Sequence, residues 1–112
     1  MTSDIDFGLT PAEREIIQAI LANYLPENCS VWVFGSRAKG RATYQSDLDL
    51  AIECQSLLDS KIISRLKYEF EESKLPFMVD IVDFNSVSDS FREIIERDKK
   101  PITLQKQSSL TP

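Results

Sequence analysis

Ser30-Val31-Trp32-Val33-Phe34-Gly35-Ser36-Arg37-Ala38-Lys39-Gly40, continued after a short gap by Ser46-Asp47-Leu48-Asp49-Leu50-Ala51-Ile52, is the stretch whose reading decides the fold. The β-branched and aromatic run from Ser30 to Phe34, stopped by Gly35, predicts a first strand. From Ser36 to Ser46 the chain is polar and basic with a glycine at position 40. Leu48, Leu50 and Ile52 then alternate with Asp47, Asp49, Ala51 and Glu53, which predicts a second strand with one apolar face.

Outward from this pair the punctuation is clear. Thr10-Pro11-Ala12-Glu13 is a capping box with proline at the first helical position, followed by Ile16, Ile17, Ile20, Leu21 and Tyr24 at helical spacing. A helix over about 11–25 is expected, ended by Pro26-Glu27-Asn28. Downstream, Ile62, Ile63, Leu66 and Phe70 mark a second helix over about 59–73. Pro76 opens a third strand over 77–84. Ser86-Val87-Ser88-Asp89 resembles a further capping box leading into Phe91, Ile94 and Ile95, with Pro101 marking the end. The order predicts an α/β (α+β) fold, a small mixed sheet of about three to four strands flanked by helices. Residues 1–102 are expected as a single domain and 103–112 as a flexible polar tail.

Composition narrows the function. A chain of 112 residues with 42% apolar content suits one globular core. A net charge of −5 opposes the phosphate neutralisation on which nucleic-acid affinity depends, so DNA or RNA is not expected as a partner. No segment approaches a membrane span, and Met1 to Thr10 has the wrong order for a secretory signal; a cytoplasmic location is expected. Cys29 and Cys54 have no metal-like spacing and read as unpaired small core residues in a reducing compartment. The chain contains no histidine, which excludes imidazole acid–base chemistry and leaves carboxylates, hydroxyls, cations and bound metal.

Gly35-Ser36 after a strand lets the backbone approach another group closely. If Ser36 opened a short helix, its hydroxyl and the neighbouring N–H groups would face a phosphate, with Lys39 and Arg41 supplying charge. Alone, such a turn is more often only a turn. Asp47 and Asp49, two apart in an extended segment, project from one face about 7 Å apart and could converge on divalent ions. An isolated pair of this kind more often decorates a solvated strand face. The turn and the pair together are far more specific than either. The third strand offers Asp80 or Asp83 as a third carboxylate. Asp80 is favoured because an unpaired carboxylate in mid-strand would be costly to bury, whereas Asp83 sits at the strand end and can be solvated.

Gly35-Ser36-Arg37-Ala38-Lys39-Gly40, then Ser46-Asp47-Leu48-Asp49-Leu50, then Val79-Asp80-Ile81-Val82 resemble the minimal nucleotidyltransferases of the DNA polymerase beta superfamily over about residues 30–85. The resemblance implies that Gly35 and Ser36 bind a nucleoside triphosphate, that Asp47 and Asp49 hold metals, and that Asp80 completes the site and assists deprotonation of the acceptor. Lys39 stands where the family often has arginine, keeping the charge but not the planar fork. The resemblance further implies transfer of a nucleoside monophosphate to a hydroxyl with two Mg²⁺ ions. Larger members carry a further domain for the acceptor, for which 112 residues leave no room. Chains of this size resemble the MNT antitoxins paired with helical HEPN toxins, which implies ATP as donor and a tyrosine of a HEPN partner as acceptor. The alternative is a subunit that neutralises its partner by contact, with Phe91, Ile94 and Ile95 of the last helix as candidate contacts; that helix reads more simply as core-facing. A small-molecule transferase of the antibiotic-modifying kind is disfavoured for want of the helical acceptor domain.

Overall fold

A computed structural model describes residues 7–102. The expectations for Met1–Asp6 and for the tail at 103–112 lie outside these residues.

The elements follow in the order α1 (Pro11–Tyr24), β1 (Cys29–Phe34), β2 (Leu48–Cys54), α2 (Ser60–Glu71), β3 (Val79–Asp83), α3 (Asp89–Asp98) and β4 (Lys100–Pro101). Thr10 and Glu13 close the capping box of α1 in both directions, satisfying two amides that the first turn cannot. Asp59 caps α2 by accepting from Lys61 N–H. Ser88, two residues beyond Ser86, caps α3 by accepting from Phe91 N–H. Ser86 instead donates its hydroxyl to Asp83.

The strands form one mixed sheet in the order β3-β2-β1-β4. β1 and β2 are antiparallel, β2 and β3 are parallel with α2 as their crossover, and β4 pairs antiparallel with β1. β4 is an addition to the sequence reading: α3 ends at Asp98, short of Pro101, and Lys100 and Pro101 then pair with Val33 and Trp32.

The sheet has helices on both faces. Val31, Val33, Leu48, Leu50, Ile52 and Ile81 pack in one core with Ile17 and Leu21 of α1 and Leu66 and Phe70 of α2. On the other face Phe34, Ala51 and Phe84 surround Ile95 of α3, with Trp32, Val82 and Phe91 against them. β2 is therefore not a strand with one apolar face. Ala51, among the residues read as its outward side, is fully buried under α3. On the same side Asp49 and Glu53, at either end of Ala51, are only half-buried.

The cysteines are corrected too. Register places Cys29 opposite Cys54, and the two form a disulfide between β1 and β2. A search for metal-like spacing missed it because the partners lie 25 residues apart and meet only through the antiparallel ladder. Among the described residues no helix is long and apolar enough to cross a membrane.

Ile95 is the fully buried anchor of α3. Ile95→Ala is expected to lower unfolding stability by about 2–5 kcal/mol in urea titrations, and a loss below about 1 kcal/mol would mean that α3 does not seal this face.

Candidate active site

β1 ends at Phe34 and the chain turns at Gly35, whose φ is +77°. An L-residue pays about 1–2 kcal/mol in that region. Space forbids one as well, because a Cβ at Gly35 would run into Asp49 Oδ2 and stand 3.2 Å from Asp49 Cγ. The glycine lets the turn lie directly against the carboxyl group of the neighbouring strand. Beyond it, the N–H groups of Ala38 and Lys39 both donate to Gly35 O, at 3.1 and 3.2 Å, and Arg41 N–H donates to Ser36 O at 2.9 Å. Consecutive turns form here, not a helix opening at Ser36. Two amides expected to face a ligand are spent inside the loop. Ser36 itself is half-buried, and Arg41 is exposed.

Arg37, which the sequence reading passed over, organises the loop. Its side chain is 1% exposed. Nε and Nη2 donate to Ser46 O at 3.1 and 2.8 Å, Nη1 donates to Phe7 O and Gly8 O at 2.9 and 3.2 Å, and Nη2 reaches Tyr44 O at 3.4 Å. The guanidinium also lies 4.3 Å from the centre of the Phe77 ring. Burial pulls its pKa below the ordinary value, opposed by the charges of Glu13 and Asp47. No residue pattern marks such a role, since its hydrogen-bond acceptors are backbone carbonyls.

Lys39 is exposed, with Nζ 3.4 Å from Asp98 Oδ2 of α3. An exposed ion pair of this kind contributes roughly 0–1 kcal/mol, so it holds the lysine near the site without committing it. A cavity of about 500 Å³ beside the turn is lined by Gly8, Arg37, Lys39, Gly40 and Lys100 among others. Lys100 arrives there because β4 pairs with Val33, a placement invisible without the fourth strand.

The carboxylates meet through register. Phe34 pairs with Asp49 and Asp49 pairs with Asp80, so the turn, β2 and β3 place their groups in one row across the sheet. Asp47 precedes β2 and is exposed. Ser46 just before it is fixed by its carbonyl on Arg37 and by Thr43 N–H donating to its hydroxyl at 2.8 Å. Asp80 is exposed, so the cost of burial was the wrong reason to favour it; its alignment with Asp49 is the observation that stands. Asp83 reverses expectation as well. It is 8% exposed and accepts from Leu58 N–H, Asn85 N–H and the Ser86 hydroxyl, which makes it a structural carboxylate tying the loop before α2 to the end of β3.

Asp49 is pushed up to about 6 by burial first, then by the charges of Asp80 and Asp47 and a hydrogen bond with Asp80. A cation between the aligned carboxyl groups of Asp49 and Asp80 would remove the repulsion that holds the Asp49 carboxyl up. Among the described residues no group of three or more His, Cys, Asp or Glu side chains is arranged, as the side chains lie, to hold a metal ion. The chemistry of the set nonetheless fits one: oxygen donors only, crowded enough that ionisation is penalised, suit a hard divalent cation.

A family model described as polymerase beta, nucleotidyltransferase, matches residues 15–108. The chain belongs to this nucleotidyltransferase family. It is 41% identical over 115 residues, 98% of this chain and 100% of the relative, to a Haemophilus influenzae protein named probable protein adenylyltransferase MntA. A solved structure described as a putative minimal nucleotidyltransferase superposes with a TM-score of 0.64 at 31% identity, covering 90% of this chain and 100% of the other. A crystal structure of a toxin–antitoxin with AMP-PNP superposes with a TM-score of 0.68 at 26% identity, over 84% of this chain and 75% of that one.

Two predictions follow the geometry of this nucleotidyltransferase. Gly35→Ala is expected to be markedly more destabilising in urea titrations than Gly40→Ala: both glycines have positive φ, but only the first would meet a neighbour, as nothing lies within 4 Å of a Cβ at Gly40. Equal losses would show that the Asp49 contact is not tight. The second concerns Asp49, whose folded pKa is raised. Below about pH 4 its carboxyl is neutral in folded and unfolded chains alike. As pH rises through about 6, the folded chain loses the stability of holding that proton. In chelator, Asp49→Asn should therefore melt higher than the parent above that pH, with the advantage vanishing below about pH 4; a variant that melts lower at neutral pH would contradict the crowding.

Proposed function

We propose that this nucleotidyltransferase moves AMP from ATP to a hydroxyl of a partner protein, a tyrosine of a HEPN-type toxin, and so acts as an antitoxin in the cytoplasm. The observation that carries the reading is the row in which the Gly35 turn presses on Asp49 while Asp80 stands in register beside it. A phosphate-binding turn and a carboxylate set in contact are what transfer at phosphorus needs. The 41% identity with a probable protein adenylyltransferase supports the donor, and the fold's likeness to a toxin–antitoxin structure with AMP-PNP supports both the nucleotide and the partner.

In this reading Gly35 and Ser36 receive the triphosphate, and its outer phosphates lie toward Lys39 and Lys100, where the lining of the adjoining cavity is positive. Asp47, Asp49 and Asp80 would hold two Mg²⁺ ions. When bound, these neutralise charge on the attacking and leaving oxygens. The acceptor oxygen bonds to the α-phosphorus, the bond from that phosphorus to the oxygen bridging to the β-phosphate breaks, and pyrophosphate leaves. The hydroxyl proton passes by way of Asp80 to solvent. Nothing here requires a histidine. The disulfide is remote from these steps, joining the end of the β1–β2 ladder opposite to the Phe34–Asp49 pair, so its reduction in the cytoplasm leaves the site's own ligands untouched.

A second reading, neutralisation by contact alone, draws on Ile94 of α3, which is 44% exposed while its neighbour Ile95 fills the core. Incubation with labelled ATP, Mg²⁺ and a HEPN partner should label the partner. Asp47→Asn or removal of metal by chelation should reduce labelling by at least about 100-fold. Labelling that persists in the variant would sink the transferase reading, and toxin neutralisation that survives without labelling would favour contact.

A further inference from the structure

Cys29 and Cys54 are the two cysteines of the chain. They face each other across the outermost rung of the β1–β2 ladder, joined by the disulfide. Both are half-buried and pack against the core that contains Val31 and Ile52. The surroundings of the two sulfurs differ. Cys29 lines a cavity of about 310 Å³ together with Pro26, Trp32, Pro101 and Ile102 among others. Cys54 does not belong to that lining, and its carbonyl is held by the side-chain amide of Asn85 at 2.8 Å. A small thiol entering the cavity is therefore directed to Cys29.

A permanent staple is what a fold needs when it cannot bury a sufficient core. Here apolar clusters already fill both faces of a four-stranded sheet, and the ladder runs on from the cysteines through five further pairs to Phe34 and Asp49. The strands stay paired without the bond. In the reducing compartment proposed above, a disulfide is chiefly of the kind that is made and broken in use. What it encloses gives it a consequence. The segment between the cysteines, which are 25 residues apart, carries the Gly35 turn, Lys39, Asp47 and Asp49. Closing that loop restricts the unfolded chain while the folded one keeps the same ladder, so the oxidised form is the more stable. With no third cysteine in the chain, opening the bond cannot lead to a shuffled pair.

We propose that Cys29–Cys54 is a reversible thiol–disulfide site, which exchanges with a small peptide thiol of the glutathione kind through Cys29, has Cys54 as its resolving cysteine, and sets how firmly the β1–β2 hairpin is held. On reduction the incoming thiolate bonds to Cys29 Sγ, the bond to Cys54 Sγ breaks, and Cys54 leaves as a thiolate that takes a proton from solvent. A second thiolate attacks the sulfur of the first, releasing Cys29 and a small-molecule disulfide, so that two electrons have passed to the protein. Oxidation reverses these steps: oxidised glutathione leaves a mixed disulfide on Cys29, and Cys54, directly opposite, displaces the glutathione. The exchange does not depend on whether the chain transfers AMP.

The test counts alkylated thiols by mass spectrometry on the intact, folded chain. Excess reduced glutathione should expose both cysteines without denaturant, oxidised glutathione should remove both thiols again, and the reduced form should melt lower by about 10 °C or more. The Cys29→Ala/Cys54→Ala double variant should melt alike in the two buffers. Oxidised glutathione should modify Cys29 in Cys54→Ser about tenfold faster than it modifies Cys54 in Cys29→Ser. Thiols that appear only after unfolding, or that never pair under oxidised glutathione, would overturn the site. Equal trapping rates would overturn Cys29 as the point of entry. A reduced form that melts together with the oxidised one would overturn the consequence for the hairpin.

Discussion

Arg37 keeps a permanent charge at 1% exposure, where desolvation alone would expel it. Carbonyls from Phe7, Gly8, Tyr44 and Ser46 occupy its donors, and the face of Phe77 covers its plane. Each of those contacts fixes something different. The first pair ties the segment before α1 to the turn, the second closes the loop between β1 and β2, and Phe77 joins both to the approach of β3. Lysine has no planar fork with which to meet these groups together. Removing the guanidinium would take the donor from the buried carbonyl of Phe7 and from the part-buried carbonyl of Ser46 at once, so the loop that carries Ser36 and the residue that precedes Asp47 would lose their common anchor.

Two aspartates show how the same chemistry is placed for opposite ends. Asp83 is buried and supplied with backbone and hydroxyl donors, which fix its position. Asp49 is half-buried among other carboxylates, and its ionisation is penalised by burial and by Asp80 and Asp47. A fold selected for stability alone would exchange such a carboxylate for an uncharged group. Retaining it makes sense where an incoming cation relieves the repulsion, so that binding energy repays what folding gave up.

Capping boxes, apolar periodicity and the Gly-Ser turn were legible because each is local: Thr10 and Glu13 are three residues apart, Leu48 and Leu50 two. Asp47 and Asp49 could be singled out for the same reason. What the sequence could not convey is pairing between strands. The disulfide, Lys100 on β4 and the alignment of Asp80 with Asp49 all follow from register, which no single segment encodes. Asp80 was chosen through an argument about burial that the exposed side chain does not obey. Asp83 was misjudged because position at a strand end says nothing about donors arriving from Leu58, Asn85 and Ser86. Arg37 escaped since backbone acceptors carry no residue signature.

The described elements finally bear on how catalysis could be distributed. The described elements supply the turn, the lysines and the carboxylate row, and one sheet with helices on both faces is already needed to hold these in register. Among the described residues the β3 side offers a hollow of about 340 Å³, room for a side chain but not for the surface that would position it. In the proposed transfer, orientation of the acceptor would draw on contacts made elsewhere by the molecule that bears it, the arrangement in which remote binding energy is spent on the reacting centre. A free hydroxyl should be a poor substrate for such a site and a docked one a good substrate, because the difference lies in the entropy of alignment and not in the chemistry of the carboxylates.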